Sequence, residues 1–168
     1  MKKTIIVFAL LLAIIPAMAF ADFQIGVVAG DLATPIGDMK NSSGSSTGDL
    51  SYGLESRLKL WIFQVGVSAF YDPSYKTMSM FTDAGLALDL LFVRVGMGLG
   101  PTIAYDPQHS KSTSAGWNLK TALDINLWNL GLGIVLYSPM SSLSGLGNVM
   151  RNYLDNTYVG VTLMFKLF

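Results

Sequence analysis

Three groups of residues in this chain have side chains that could do chemistry. His109, the single histidine, is followed by Ser110 and preceded by Asp106. Histidine, serine and acid are the residue types of nucleophilic hydrolysis, in which the imidazole activates the hydroxyl and the carboxylate orients the imidazole. Residues this close in a Ser-rich stretch lack the separate, rigid supports a triad needs, so no catalytic residue is assigned. Gly96, Gly98 and Gly100 resemble a phosphate-binding loop, but the strand-to-helix context and the following lysine are missing. The third group is a set of nine charged residues: Glu55, Arg57, Lys59, Asp83, Asp89, Arg94, Lys120, Asp124 and Lys166. Five are basic and four acidic, and mutual pairing is the cheapest way to bury them. With one histidine and no cysteine, neither a metal site nor a disulfide framework is expected, and no cofactor.

The elements that carry these residues alternate with period two, the mark of a strand with two unlike faces. Phe63, Val65, Val67, Ala69 and Tyr71 share one face; Gln64, Gly66, Ser68 and Phe70 share the other. The same reading along the chain predicts eight strands, at 23–30, 49–60, 63–72, 78–90, 93–105, 115–125, 128–137 and 157–168. Three connections are minimal turns, at Trp61-Ile62, Leu91-Phe92 and Asn126-Leu127. The other four, 31–48, 73–77, 106–114 and 138–156, are longer and polar. Short turns alternate with long loops, as in an up-and-down antiparallel barrel. A repeated hairpin supports this: Leu58-Lys59-Leu60, Leu88-Asp89-Leu90 and Leu123-Asp124-Ile125 each precede a turn. In the last loop, Val149, Met150, Tyr153 and Leu154 would share one side of a short helix, able to cap the barrel, touch lipid headgroups, meet a partner or pack on the loop itself.

All nine charges fall on the face opposite the apolar series, together with Gly26, Gly66, Gly96, Gly98, Gly100, Gly131, Gly133 and Gly160. A water-soluble barrel would expose those glycines at a cost in strand stability. A membrane barrel instead turns its apolar face outward, and an eight-stranded lumen is narrow enough for side chains to fill. Aromatic residues gather at two levels. Phe23, Trp61, Phe63, Phe92, Trp128 and Phe165 lie near the turns; Tyr52, Tyr71, Tyr105 and Trp117 lie near the loops. Phe63 to Tyr71 is about 26 Å of strand, or roughly 20 Å of height at a tilt of about 40°.

Composition agrees. Charged residues are 13% of the chain, about half the level of soluble domains. The eleven basic and eleven acidic residues balance, which gives no electrostatic case for nucleic acid. Lys2, Lys3, the apolar run from Ile5 to Ile15, Pro16 and Ala19-Phe20-Ala21 form a secretory signal pattern. Residues 1–21 are expected to be removed and 22–168 to form the barrel; cleavage after Ala19, or an uncleaved helix, are the alternatives. Asn41-Ser42-Ser43 matches a glycosylation pattern, a short motif that carries little weight by itself.

On these features residues 22–168 resemble the small eight-stranded outer-membrane barrels, the group of the OmpA transmembrane domain, OmpX and OmpW. The resemblance is one of architecture. It implies an all-β transmembrane barrel in the bacterial outer membrane, contact with outer-membrane lipid, and a terminal aromatic, Phe168, read by the barrel-assembly machinery. Lys166 stands where the family usually has an aromatic or apolar residue. A plugged barrel with a structural or surface-interaction role is the leading expectation. The alternatives are a narrow channel or carrier for small or apolar molecules and a lipid-modifying enzyme.

Overall fold

The structure, a computed structural model, describes residues 21–39, 50–106 and 113–167. The segment 1–20, Asn41-Ser42-Ser43, His109, Ser110 and Phe168 lie outside the described residues. Eight strands form: β1 Ala21–Asp31, β2 Leu50–Leu60, β3 Phe63–Asp72, β4 Thr77–Leu90, β5 Val93–Tyr105, β6 Thr113–Leu127, β7 Leu130–Met140 and β8 Tyr158–Lys166. Each pairs antiparallel with its neighbours in sequence, and β1 pairs with β8, which closes an all-β, up-and-down barrel. Ala21, placed in the signal segment by the sequence, pairs with Leu60.

Strict alternation sets which side chains enter the lumen. Along β3 every outward residue from Phe63 to Ala69 is exposed, and every inward one from Gln64 to Phe70 is buried. Closure leaves no free sheet edge. Glycines admit close approach where the inner face is crowded. A Cβ on Gly100 would strike the backbone of Thr82, and next to it Pro101 cannot donate to the ladder. The buried Asn118 of β6 fills that gap, its Nδ2 donating to Gly100 O at 3.0 Å and Thr82 O at 3.1 Å.

The third short turn is not Asn126-Leu127 but Trp128-Asn129, because Leu127 pairs with Leu130. The shift is two residues, so no side chain changes face. Its cause lies in the lumen. The observed register sets Asp124 opposite Gly133 and Asn126 opposite Gly131, and a Cβ on either glycine would strike the facing polar side chain. The expected register would have set Asp124 against Asn129. Trp61, Leu91 and Trp128 open their turns with φ of 57°, 58° and 56°. Positive φ at the first central residue alone marks type II′ geometry, which suits strand twist but normally takes glycine.

Two long loops start where the sequence places them, at 73 and 106, while the first starts one residue later, at 32, and the last three later, at 141. The first holds helix α1, Ile36–Met39. The last, 141–157, holds a 3-10 turn at Leu143–Gly145, helix α2 at Leu146–Arg151 and a second 3-10 turn at Leu154–Asn156. Ile36 N donates to Thr157 O at 2.8 Å and ties the two loops together.

Candidate functional site: the barrel interior

The lumen is filled in layers. Nearest the turns, Arg94 of β5 donates from Nε to Asp89 of β4 at 2.6 Å and from Nη2 to Asp22 of β1 at 2.5 Å. Lys59 also binds Asp89, and Lys166 Nζ lies 3.0 Å from Asp22. Asp89 and Lys166 are the most open members, since they stand at the rim.

The middle layer is fully buried. Glu55 Oε1 accepts from Arg57 Nε at 2.5 Å and from Lys120 Nζ at 2.6 Å. Arg57 Nη1 reaches across to Asp124 at 2.5 Å, and Lys120 reaches Asp83 at 3.1 Å. Ser68 and Tyr137 complete the set: the tyrosine hydroxyl donates to Ser68 Oγ at 2.9 Å and Glu55 Oε2 at 3.2 Å. Gly66 and Gly98 leave the space that Asp83 occupies. Charges removed from water in this way are tolerable only when paired and hydrogen-bonded.

Against the charges packs an apolar cluster of Val28, Phe70, Phe81, Ala122, Val135 and the Tyr137 ring, with Leu32 packed on it; Ala122 lies between Asp124 and Lys120 on β6, level with Val135 of β7. Phe70 meets Phe81 and Tyr137 edge to face at 5.8 and 5.3 Å between ring centres. Above it a cup of about 460 Å³ opens toward the loops, lined by Ser79, Thr102, Ala104 and Ser114 and floored by Phe81.

Each of the nine charged residues named from the sequence takes part in an ion pair of this lumen. Sequence reasoning missed Asp22, which brings the acids to five (Asp22, Glu55, Asp83, Asp89, Asp124) against five bases (Arg57, Lys59, Arg94, Lys120, Lys166). The available signal was phase: Asp22, Gln24, Gly26 and Val28 all face inward. Tyr137 and Asn118 carry the same signal of phase, and Gln64, placed on the inner face by the sequence, is buried there. Among the described residues, no group of three His, Cys, Asp or Glu could hold a metal ion.

Outside, the wall is apolar. Trp61, Phe63, Phe92 and Phe165 are exposed at the turn end. Tyr52 packs edge-on against Tyr71 at 5.9 Å near the loop end, where Tyr105 is also exposed. Trp128 stands at a turn tip, 97% exposed, rather than within a strand. Trp117 is half-buried under the last loop. That loop's stripe divides: Val149 is buried and Tyr153 half-buried, while Met150 and Leu154 are exposed.

No protein-family model matches the chain, and no curated protein matches it. Among solved structures it is similar to Neisserial surface protein A (NspA), with 16% identity over 87% of this chain and 95% of that one, at a TM-score of 0.47. The fold assignment rests on the barrel itself. A closed eight-stranded antiparallel sheet with charges inside and an apolar wall outside is the architecture of the small outer-membrane barrels that the sequence resembles.

Proposed function

We propose that this chain is a small integral protein of the bacterial outer membrane, exported by a cleaved segment at 1–21, with a plugged polar lumen and a structural or surface-interaction role. The observation that carries the reading is the reversal of faces. Leu54, Phe63, Leu86, Met97, Leu123 and Leu132 are exposed, while Glu55, Arg57, Lys120 and Asp124 are buried. Water would penalise that outer wall; hydrocarbon favours it. Outer-membrane lipid is then the main partner, and the barrel-assembly machinery, through Phe168, is the partner during biogenesis.

The layered lumen supports the plug. The Phe70, Phe81 and Tyr137 rings pack against one another beside an ion-pair network of five acids and five bases, which supports a lumen without a wide aqueous path. Flotation of refolded protein with lipid vesicles tests the membrane reading; protein left in the aqueous fraction overturns it. Planar-bilayer recording tests the plug, with no steady conductance expected. A second reading has one observation in its favour. The cup above Phe81 could receive a small apolar molecule, as a narrow channel or carrier would. Steady conductance or saturable ligand uptake would favour that reading. Catalysis has no assembled site among the described residues and forms no part of the proposal.

A further inference from the structure

The last loop does not close the barrel mouth. It folds down over the outside of the wall. Leu119 and Met140 lie in the outward phase of β6 and β7, yet Leu119 is only 7% exposed, because both pack with Val149 of α2. Leu146 and Tyr153 lie against the same cluster. The Tyr153 hydroxyl sits 2.8 Å from Thr121 Oγ1, an outward polar group halfway along β6. The underside of the segment is thus fixed to the wall by apolar packing and one hydrogen bond.

Its other side is apolar too. Met150 is 63% exposed and Leu154 53%, and Leu143 is exposed beside them. Arg151, in the last turn of α2, is exposed. A loop that stood in water would gain nothing from three large apolar side chains there. Height identifies the environment. Thr121 is seven residues above Trp128 at the turn tip, so about 23 Å along the strand and roughly 18 Å along the barrel axis at a tilt of about 40°. The apolar wall starts at the turn tips, where Leu91 is 96% exposed, and such a band is about 25 Å tall. Tyr153 therefore reaches within the upper third of the band.

We propose that residues 143–156 form an interfacial anchor in the outer leaflet, with Leu143, Met150 and Leu154 in the acyl boundary and Arg151 toward anionic lipid headgroups. Lipid is the occupant because the wall on which the segment lies continues below Thr121, whose hydroxyl Tyr153 occupies, into Leu123 and Ile134, both exposed and apolar. Arg151 and Asp155 balance in the segment, so the apolar side chains carry the anchoring and Arg151 contributes only a local headgroup contact. The inference rests on the membrane-barrel reading.

The chain has no cysteine, so single nitroxide labels report cleanly. Met150→Cys and Leu154→Cys would be labelled in protein refolded into vesicles of phosphatidylcholine and phosphatidylglycerol. Ile134→Cys serves as a wall reference and Ser74→Cys as a water reference. Collision with oxygen, which concentrates in lipid, is compared with collision with a water-soluble nickel chelate. Labels at 150 and 154 should favour oxygen over nickel several-fold more than the label at 74 does. Nickel contact equal to that at 74, with 134 still oxygen-accessible, would place the segment in water and overturn the anchor while leaving the barrel in the membrane. Protection from both reagents would mean that protein covers the surface, and would also overturn it. Nickel contact at 134 would overturn the membrane reading and the anchor together.

Discussion

Arg94 on β5 and Asp22 on β1 meet across the foot of the lumen, with Nη2 and Oδ2 2.5 Å apart. Arg94 also holds Asp89 across a two-residue turn, a contact that the hairpin alone could make. Asp22 comes from the other end of the chain, and it also holds Lys166 on β8. The barrel closes where β1 meets β8, so this small cluster ties the closing seam to the β4–β5 hairpin.

Replacing Asp22 by Asn should cost about 1.5–3 kcal/mol, the range for hydrogen bonds to charged groups. Arg94 keeps Asp89, which limits the loss. A cycle of Asp89→Ala and Arg94→Met should show positive coupling, reduced because Asp89 is partly open to water. Urea unfolding of vesicle-refolded protein measures both.

Glu55 carries more weight. It is buried between Arg57 and Lys120 and accepts from both. Glu55→Gln weakens two charge-assisted hydrogen bonds in the middle of the lumen, at about 1.5–3 kcal/mol each, while Arg57 keeps Asp124 and Lys120 keeps Asp83. Adding Lys120→Met should not restore stability, since Asp83 then loses its ion-pair partner, but the double change should cost less than the sum of the single ones because the Glu55–Lys120 bond is lost only once. Coupling near zero, together with steady bilayer conductance, would mean that water already solvates these groups and that the lumen conducts.

Eight strands were legible because period two is local and strict, and β5 could be bounded to the residue. The third turn was not, because Leu123-Asp124-Ile125 repeats the earlier hairpins so well. A two-residue slip keeps every side chain on its face, so alternation cannot detect it. What decides it is the space for Asp124 above Gly133, a contact between strands. Asp22 escaped notice as a single residue beside a cleavage pattern. The path of the last loop was illegible for another reason. An amphipathic stripe says that Val149 needs an apolar surface, not that the surface is the outer wall at Leu119.

The turns store strain that can be released. Leu91 holds φ at 58° and is almost wholly exposed. An L-residue in the left-handed region costs about 1–2 kcal/mol, and glycine removes that cost while adding about 0.5–1 kcal/mol of unfolded-state entropy. Leu91→Gly should therefore be neutral or stabilising by up to about 1 kcal/mol in detergent, where lipid depth plays no part. A loss above about 1 kcal/mol in vesicles but not in detergent would show that the side chain anchors the turn in the membrane.

The wall of β7 offers the sharpest test of the reversed faces. Leu130 and Leu132 are both exposed and outward, and Gly133 between the strands' inner groups points the other way. Leu132 pairs with Ile125, three residues above Trp128, so it stands about 10 Å along the strand and roughly 8 Å in height, about a third of the way up a band about 25 Å tall. Leu132→Arg should cost about 1–3 kcal/mol in lipid, while Leu130→Arg, near the turn, should cost about 0–1 kcal/mol. Gly133→Ala should act by another route: its Cβ would collide with the Asp124 carboxylate and disturb the 2.5 Å bond to Arg57, at about 1–3 kcal/mol of overpacking. That cost should persist in detergent and should shrink when Asp124 is shortened to Ala in the same chain. The arginine costs should instead depend on depth in the bilayer and vanish for a barrel in water. Equal tolerance of arginine at 130 and 132 in refolded vesicles would remove the lipid from around this wall.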